Sequence, residues 1–316
     1  MRPLIRHSLS SLLVLFIGLS VDAGTAPAVV PHGVILVKGA TPGSSDSVTP
    51  LPEEGKVAEG RYSNAYFKLS YPIPAGWTEQ PAGPPPSDGG SYVLTQLALW
   101  DREQQRVKVQ MLVSAQDLFF SANPAPSARE LMASLRRGVV PRYEIERGPE
   151  EVKIASRTFY RVAYGSPLIG FHWRVLSTDA RCHALTFTLT GRDKAALDAA
   201  ERAMSGISLP KESDAPPCIK GYAGDENIVE KTEPYLAIRR FNTIPVRVTI
   251  DVEGRVKHVH LLSAFPDQSD AIIAALRAWR LKPYLVDGKP AEIETGLVFG
   301  KPRTVAPGGA TASGRL

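Results

Sequence analysis

Runs of alternating apolar and polar residues, cut by short polar turns, fill most of the chain between Gly60 and Leu209. A period of two places alternate side chains on one face of a strand, so each run can bury that face against a core. Tyr66 to Tyr71, Tyr92 to Trp100, Arg106 to Val113, Tyr143 to Glu146, Val152 to Ala155, Phe159 to Tyr164, Phe171 to Leu176 and His183 to Leu189 read as such strands. Turns as short as Asp101 to Gln105 require their strands to pair antiparallel. Two helical stretches interrupt the series. Ser127 and Glu130 have the spacing of a capping box, and Leu131, Leu135 and Val139 follow on one face. Lys194 to Met204 carries Leu197, Ala200 and Met204 at helical spacing, with Ile207 just beyond. Strands, helix, strands, helix in that order imply a mostly antiparallel sheet with helices covering its faces, an α+β fold.

The chain is long enough for a second domain, with 316 residues of which 43% are hydrophobic. The segment 211–228 holds Pro216-Pro217, Gly221 and Gly224 and reads as the linker between them. Beyond it, Pro245 to Val252 and Arg255 to Leu262 read as strands joined at Glu253-Gly254, where glycine supplies a positive φ. Asp267 to Arg280 reads as a helix with Ile272, Ile273, Leu276 and Trp279 in its apolar stripe, and Ala291 to Phe299 as a closing strand. The expected organisation is a signal peptide (1–23), a flexible leader (24–58), an α+β domain (59–210), the linker (211–228), a small domain of about three strands and one packed helix (229–303) and a disordered tail (304–316).

The opening segment sets the compartment. Arg2 and Arg6 precede the apolar run Leu9 to Val21, and Val21-Asp22-Ala23 gives small residues at the positions a signal peptidase inspects. That order is the pattern of a secretory signal. The run is shorter than the roughly 20 residues a spanning helix needs, so membrane contact is expected only if the segment is retained. Export places the protein in the periplasm, where the two cysteines acquire meaning. Cys182 lies in a predicted strand and Cys218 in the linker; either they are bridged or they remain two thiols. A bridge would contribute roughly 3–4 kcal/mol in the chain-entropy account.

Several chemistries are excluded. A net charge of +5, from 37 basic and 32 acidic residues without a run of one sign, does not suggest nucleic acid as a partner. Gly165-Ser166-Pro167 lacks the second glycine of a nucleophile elbow. The stretch Gly83 to Gly90 is broken by three consecutive prolines and cannot offer a nest of N–H donors to a phosphate. His258 and His260 share one face of a strand and could share a metal if Asp251 or Glu253 came near, but the face reads as a solvated one. His183 reads as a hydrogen-bonded residue at the start of its strand. No catalytic residue, cofactor or metal is expected, and the chain is read as a binding protein.

The last unit resembles the C-terminal domain of TonB, the energy-transducing protein of Gram-negative envelopes. The resemblance is carried by Pro245-Val-Arg-Val-Thr-Ile-Asp-Val-Glu-Gly-Arg-Val256, by Ala274-Ala-Leu-Arg-Ala-Trp-Arg-Leu-Lys-Pro283, by Gly288-Lys-Pro290 and, in the opening segment, by Pro234, Tyr235, Ala237 and Arg239. It covers about residues 230–302. It implies a small sheet whose edge pairs with an extended segment of a partner protein in the envelope, such as an outer-membrane receptor. The expected receiving edge is the final strand, with Ile293, Thr295, Leu297 and Phe299 alternating along it. A transducer also needs a membrane anchor and a long stalk, and a globular domain stands here in place of the stalk. The leading expectation is therefore a periplasmic two-domain adaptor, the alternative a TonB-like transport component held by its N-terminal segment. The first domain resembles the PsbP/Mog1-like α-β-α sandwich in its order of elements and in the stretch Tyr71-Pro72-Ile73-Pro74-Ala75-Gly76-Trp77.

Overall fold

The computed structural model describes residues 55–80, 91–120, 125–234, 244–261 and 266–299, all within one compact unit. The expected signal peptide, most of the leader, the Pro81 to Gly90 loop, the opening segment beyond Pro234 and the tail lie outside the described residues. The fold is α+β. In chain order come β1 (Lys56–Ala58), β2 (Arg61–Asn64), β3 (Leu69–Pro72), β4 (Trp77–Glu79), β5 (Ser91–Asp101), β6 (Arg106–Asp117), α1 (Ala128–Gly138), β7 (Glu144–Ile154), β8 (Arg157–Ser166), β9 (Phe171–Ala180), β10 (His183–Gly191) and α2 (Lys194–Ala203). After the linker come β11 (Ile228–Glu230), β12 (Ile244–Ile250), β13 (Val256–Leu261), α3 (Pro266–Ala278), β14 (Arg280–Leu281), β15 (Tyr284–Val286), β16 (Lys289–Ala291) and β17 (Ile293–Phe299).

The large sheet has the order β4-β5-β6-β10-β9-β8-β7 and is antiparallel throughout. One face meets α2 and the three-stranded sheet β1-β2-β3, burying Leu97, Val109, Met111, Val113, Phe187, Leu189 and Leu197 against Tyr62, Leu69 and Tyr71. The opposite face meets α1 through Met132, Val162 and Val175. Both helices start on side-chain caps that satisfy otherwise unpaired N–H groups. Ser127 accepts from the Glu130 N–H, and Asp193 from those of Ala195 and Ala196.

One element is longer than its pattern suggests. Two short strands were expected around Gly148-Pro149, but β7 is continuous. Register shifts at Ile145/Arg147 and Arg147/Glu150 take up the extra residues, and Gly148 adopts φ +80°. β7 is the outermost strand of its sheet, the position that tolerates a proline without a ladder donor.

The small sheet has the order β13-β12-β17, antiparallel. Its outer face carries Val246, Val248, Ile250, Val256, Ile293 and Leu297, which pack with Ile272, Leu276 and Trp279 around α3. At the turn between β12 and β13, Asp251 accepts from the N–H groups of Glu253 and Arg255, and Gly254 has φ +78°. A Cβ on Gly254 would lie 1.9 Å from the Leu281 carbonyl oxygen. Gly254→Ala therefore meets both a disfavoured φ and a main-chain clash. It should destabilise the protein by more than about 1 kcal/mol, read as a lower urea midpoint.

Candidate functional site

The two sheets meet through charged residues. Alternation along β12 sends Val246, Val248 and Ile250 toward α3, and so turns Arg247 and Thr249 the other way. On β13 and β17 the same parity brings His258, His260, Glu294 and Gly296 to that inner face. It is covered by the ends of β6 and β10, by Phe119 and Phe120, and by the turn around Tyr66.

Asp117, His183, Arg247 and Glu294 are each 0% exposed there. The Arg247 Nε donates to Asp117 Oδ2 at 3.1 Å, and Nη2 donates to both carboxylate oxygens. Asp117 Oδ1 also accepts from the N–H groups of Phe119 and Phe120, at 2.7 and 3.0 Å. The guanidinium lies 4.2 Å from the centre of the Phe119 ring. Glu294 accepts from Tyr66 Oη at 2.7 Å and from Arg181 Nε at 2.6 Å. Arg181 spends its remaining donors on the Tyr66 carbonyl and Thr249 Oγ1, both at 3.0 Å. His183 sits between the acids, its ring nitrogens 3.8 Å from Asp117 and from Glu294. Two carboxylates face two guanidiniums, so the buried charges balance when the histidines are neutral.

Burial alone would raise the Asp117 pKa, but Arg247, His183 and the Phe119 N–H together hold it below its ordinary value. Burial lowers the His183 pKa, against the pull of Asp117 and Glu294. Burial, with His183 adding to it, pushes His260 down to about 3. The face expected to be solvated is thus the buried face of an interface between sheets. His183 and His260 belong to that interface, and Asp251 and Glu253 sit apart at the turn between β12 and β13. Among the described residues no group of three or more His, Cys, Asp or Glu is placed to hold a metal ion. The four sealed side chains join the sheets.

A second polar centre was missed. Glu146, at the end of a predicted strand, lies on β7, bonded by His172, Arg174 and Lys194 at 2.7, 2.6 and 2.9 Å. Burial would raise its pKa, and those three contacts instead bring it to about 2.

Part of the expected receiving edge, β17, is taken up by the chain itself, at Glu294. Ile293 and Thr295 are buried and so is Leu297; the Phe299 side chain lies outside the described residues. The chain's own linker pairs with this rim. The Ile219 N–H donates to the Glu294 carbonyl at 2.9 Å, and the Glu294 N–H to the Pro217 carbonyl at 3.0 Å. That pairing is parallel. On the inner face, a Cβ on Gly296 would sit 2.7 Å from the Phe120 ring. A disulfide between Cys182 and Cys218, with Cα atoms 5.1 Å apart, ties the linker to the start of β10.

The opposite rim, β13, differs. Glu294 turns its main-chain groups toward the linker, so its partner Thr249 turns its own toward His258. Alternation then makes the N–H and C=O of Val259 and Leu261 face away from the sheet. Among the described residues no main-chain hydrogen bond meets them. Lys257 and the half-buried Val259 lie along this rim.

No family model matches the chain, and no curated protein does. Similar solved structures include a crystal structure from Bacteroides thetaiotaomicron VPI-5482, 15% identical with TM-score 0.30, covering 53% of this chain and 52% of that one. The chain thus matches about half the length of that protein. They also include the solution structure of cyanobacterial PsbP (CyanoP) from Synechocystis sp. PCC 6803, 16% identical with TM-score 0.32, covering 51% of this chain and 99% of that one. A PsbP-like protein is therefore among the structures this chain is similar to.

Proposed function

We propose that this protein is a periplasmic adaptor that takes an extended segment of an envelope protein as an added strand of its small sheet. One observation carries the reading: the β13 rim, with Val259 and Leu261 turning their main-chain groups outward. The opposite rim already accepts an extended segment in this manner, at Pro217 to Ile219. Added strands gain affinity from main-chain bonds and selectivity from alternate side chains. The TonB-like motifs on the same sheet agree with this mode, and the signal-like N-terminus agrees with a periplasmic site. The receiving rim in this proposal is β13, because the linker already pairs with β17 at Glu294.

A photo-reactive residue at the exposed position 257 tests it in intact cells. Val259→Pro removes an outward N–H while leaving the β12–β13 bonds made by His258 and His260. The expected result is an adduct to another protein at position 257 whose yield falls at least about tenfold with Val259→Pro, the loss expected when a strand loses a main-chain bond worth about 1.5 kcal/mol. No adduct, or an adduct indifferent to the proline, would overturn the proposal.

A further inference from the structure

We propose that Cys182–Cys218 is a thiol–disulfide exchange site, reached by a dithiol through an adjoining cavity, and that opening it releases the linker from the β17 rim. This inference is independent of strand addition at β13.

The two sulfurs are unequal in access. Cys182 is fully buried. Cys218 is half-buried and lines a cavity of about 610 Å³ with Tyr160, Pro216, Pro217 and Val286. An attacking thiolate therefore meets Sγ of Cys218 first, and exchange depends on which sulfur can be approached.

The linker's hold on the rim is slight apart from this bond. Pro216 and Pro217 have no N–H to donate. The main-chain bonds are those between Glu294 and Pro217 or Ile219. Ile219 packs against the core of the small sheet, and the Lys220 ammonium lies 5.1 Å from the Phe119 ring centre, so the linker stays anchored beyond Cys218. Over the stretch Ala215 to Cys218, the disulfide is joined only by the Glu294–Pro217 main-chain bond in holding the linker to the rim. Freed of that stretch, Glu294 offers its N–H at the rim to another extended chain.

The exchange balances in two steps. One thiolate of the dithiol attacks Sγ of Cys218, the protein disulfide breaks, and Cys182 leaves as a thiolate that takes up a proton. The second thiol of the dithiol attacks its own sulfur in the mixed disulfide. The dithiol closes to a disulfide, and Cys218 departs as a thiolate and is protonated. Two electrons pass from the dithiol to the protein.

The test treats the full chain with dithiothreitol, confirms two new thiols by alkylation and mass spectrometry, and follows amide hydrogen exchange. The expected result is exchange accelerated at Glu294 and in residues 215–219 at least tenfold more than at the β5, β6, β9 and β10 amides. The Cys182→Ser, Cys218→Ser double variant should show the same pattern without reductant. Trapping with 2-mercaptoethanol should place the mixed disulfide on Cys218. A bond that resists dithiothreitol in the folded protein, unchanged exchange at Glu294 after reduction, loss of protection across the whole chain, or a mixed disulfide on Cys182 would each overturn the inference.

Discussion

Asp117→Ala should cost about 3–5 kcal/mol of stability, because it leaves the Arg247 guanidinium buried without its principal counter-charge. Arg247 would keep only the longer contact to Glu294, at 3.5 Å, and Glu294 already serves Arg181 and Tyr66. The N–H groups of Phe119 and Phe120 would lose their acceptor as well. Urea unfolding of the single variant and of Asp117→Leu with Arg247→Met gives the check. The double variant should recover most of the loss, because exchanging both charges for apolar groups leaves neither position 117 nor position 247 with an unpaired buried ion. Equal stability of Asp117→Ala and the parent would show that the pair contributes nothing.

Acid should weaken the protein well above the range where carboxylates titrate. A buried histidine with a depressed pKa stays neutral in the folded chain and takes a proton in the unfolded one. Its contribution is intact above the unfolded value of about 6.5 and falls as pH drops, until the folded value is reached. For His260 that window runs from about 6.5 to about 3. The slope is about 1.4 kcal/mol per pH unit, so close to 3 kcal/mol is lost at pH 4.5. His183 adds in the same direction. Asp117, with its lowered pKa, contributes stability that is lost only below about pH 4. Urea midpoints at pH 7.5, 6 and 4.5 would show this early decline, and His260→Gln should make it shallower. A flat profile from pH 7.5 to 4.5 would contradict the burial of neutral histidines.

Most strands of the large sheet were legible because each is set by its own residues, whereas β1, β2 and β4 were missed and Tyr66 to Lys68, read as strand, is a turn. The alternation of Val109, Met111, Val113 and Ala115 gives β6 wherever it ends up. The strand order was not, since it depends on which distant runs meet: β6 lies beside β10, across α1 and three intervening strands. The interface was half visible. The pair His258 and His260 was found, and so was its shared face, but a face reads as solvated until something is known to cover it. Asp117, which closes that face, lies 130 positions from Arg247, and nothing in the spacing of either residue announces the other. One signal was present. Asp117 continues the parity of the buried β6 residues, and a charge on the core face of a strand asks for a partner. The edge position of β17 was also readable, whereas the pairing of its rim with the linker was not, because Pro216-Pro217 reads only as a break.

The salt-bridged joint between the sheets has a consequence for how this lineage can diverge. Neutral drift at position 117 is blocked unless position 247 changes alongside it, since either alone strands an ion away from water. Positions 181 and 294 form a similar couple. Homologues that keep this architecture should therefore swap these residues in twos, charged with charged or greasy with greasy, and mixed combinations should be rare among survivors.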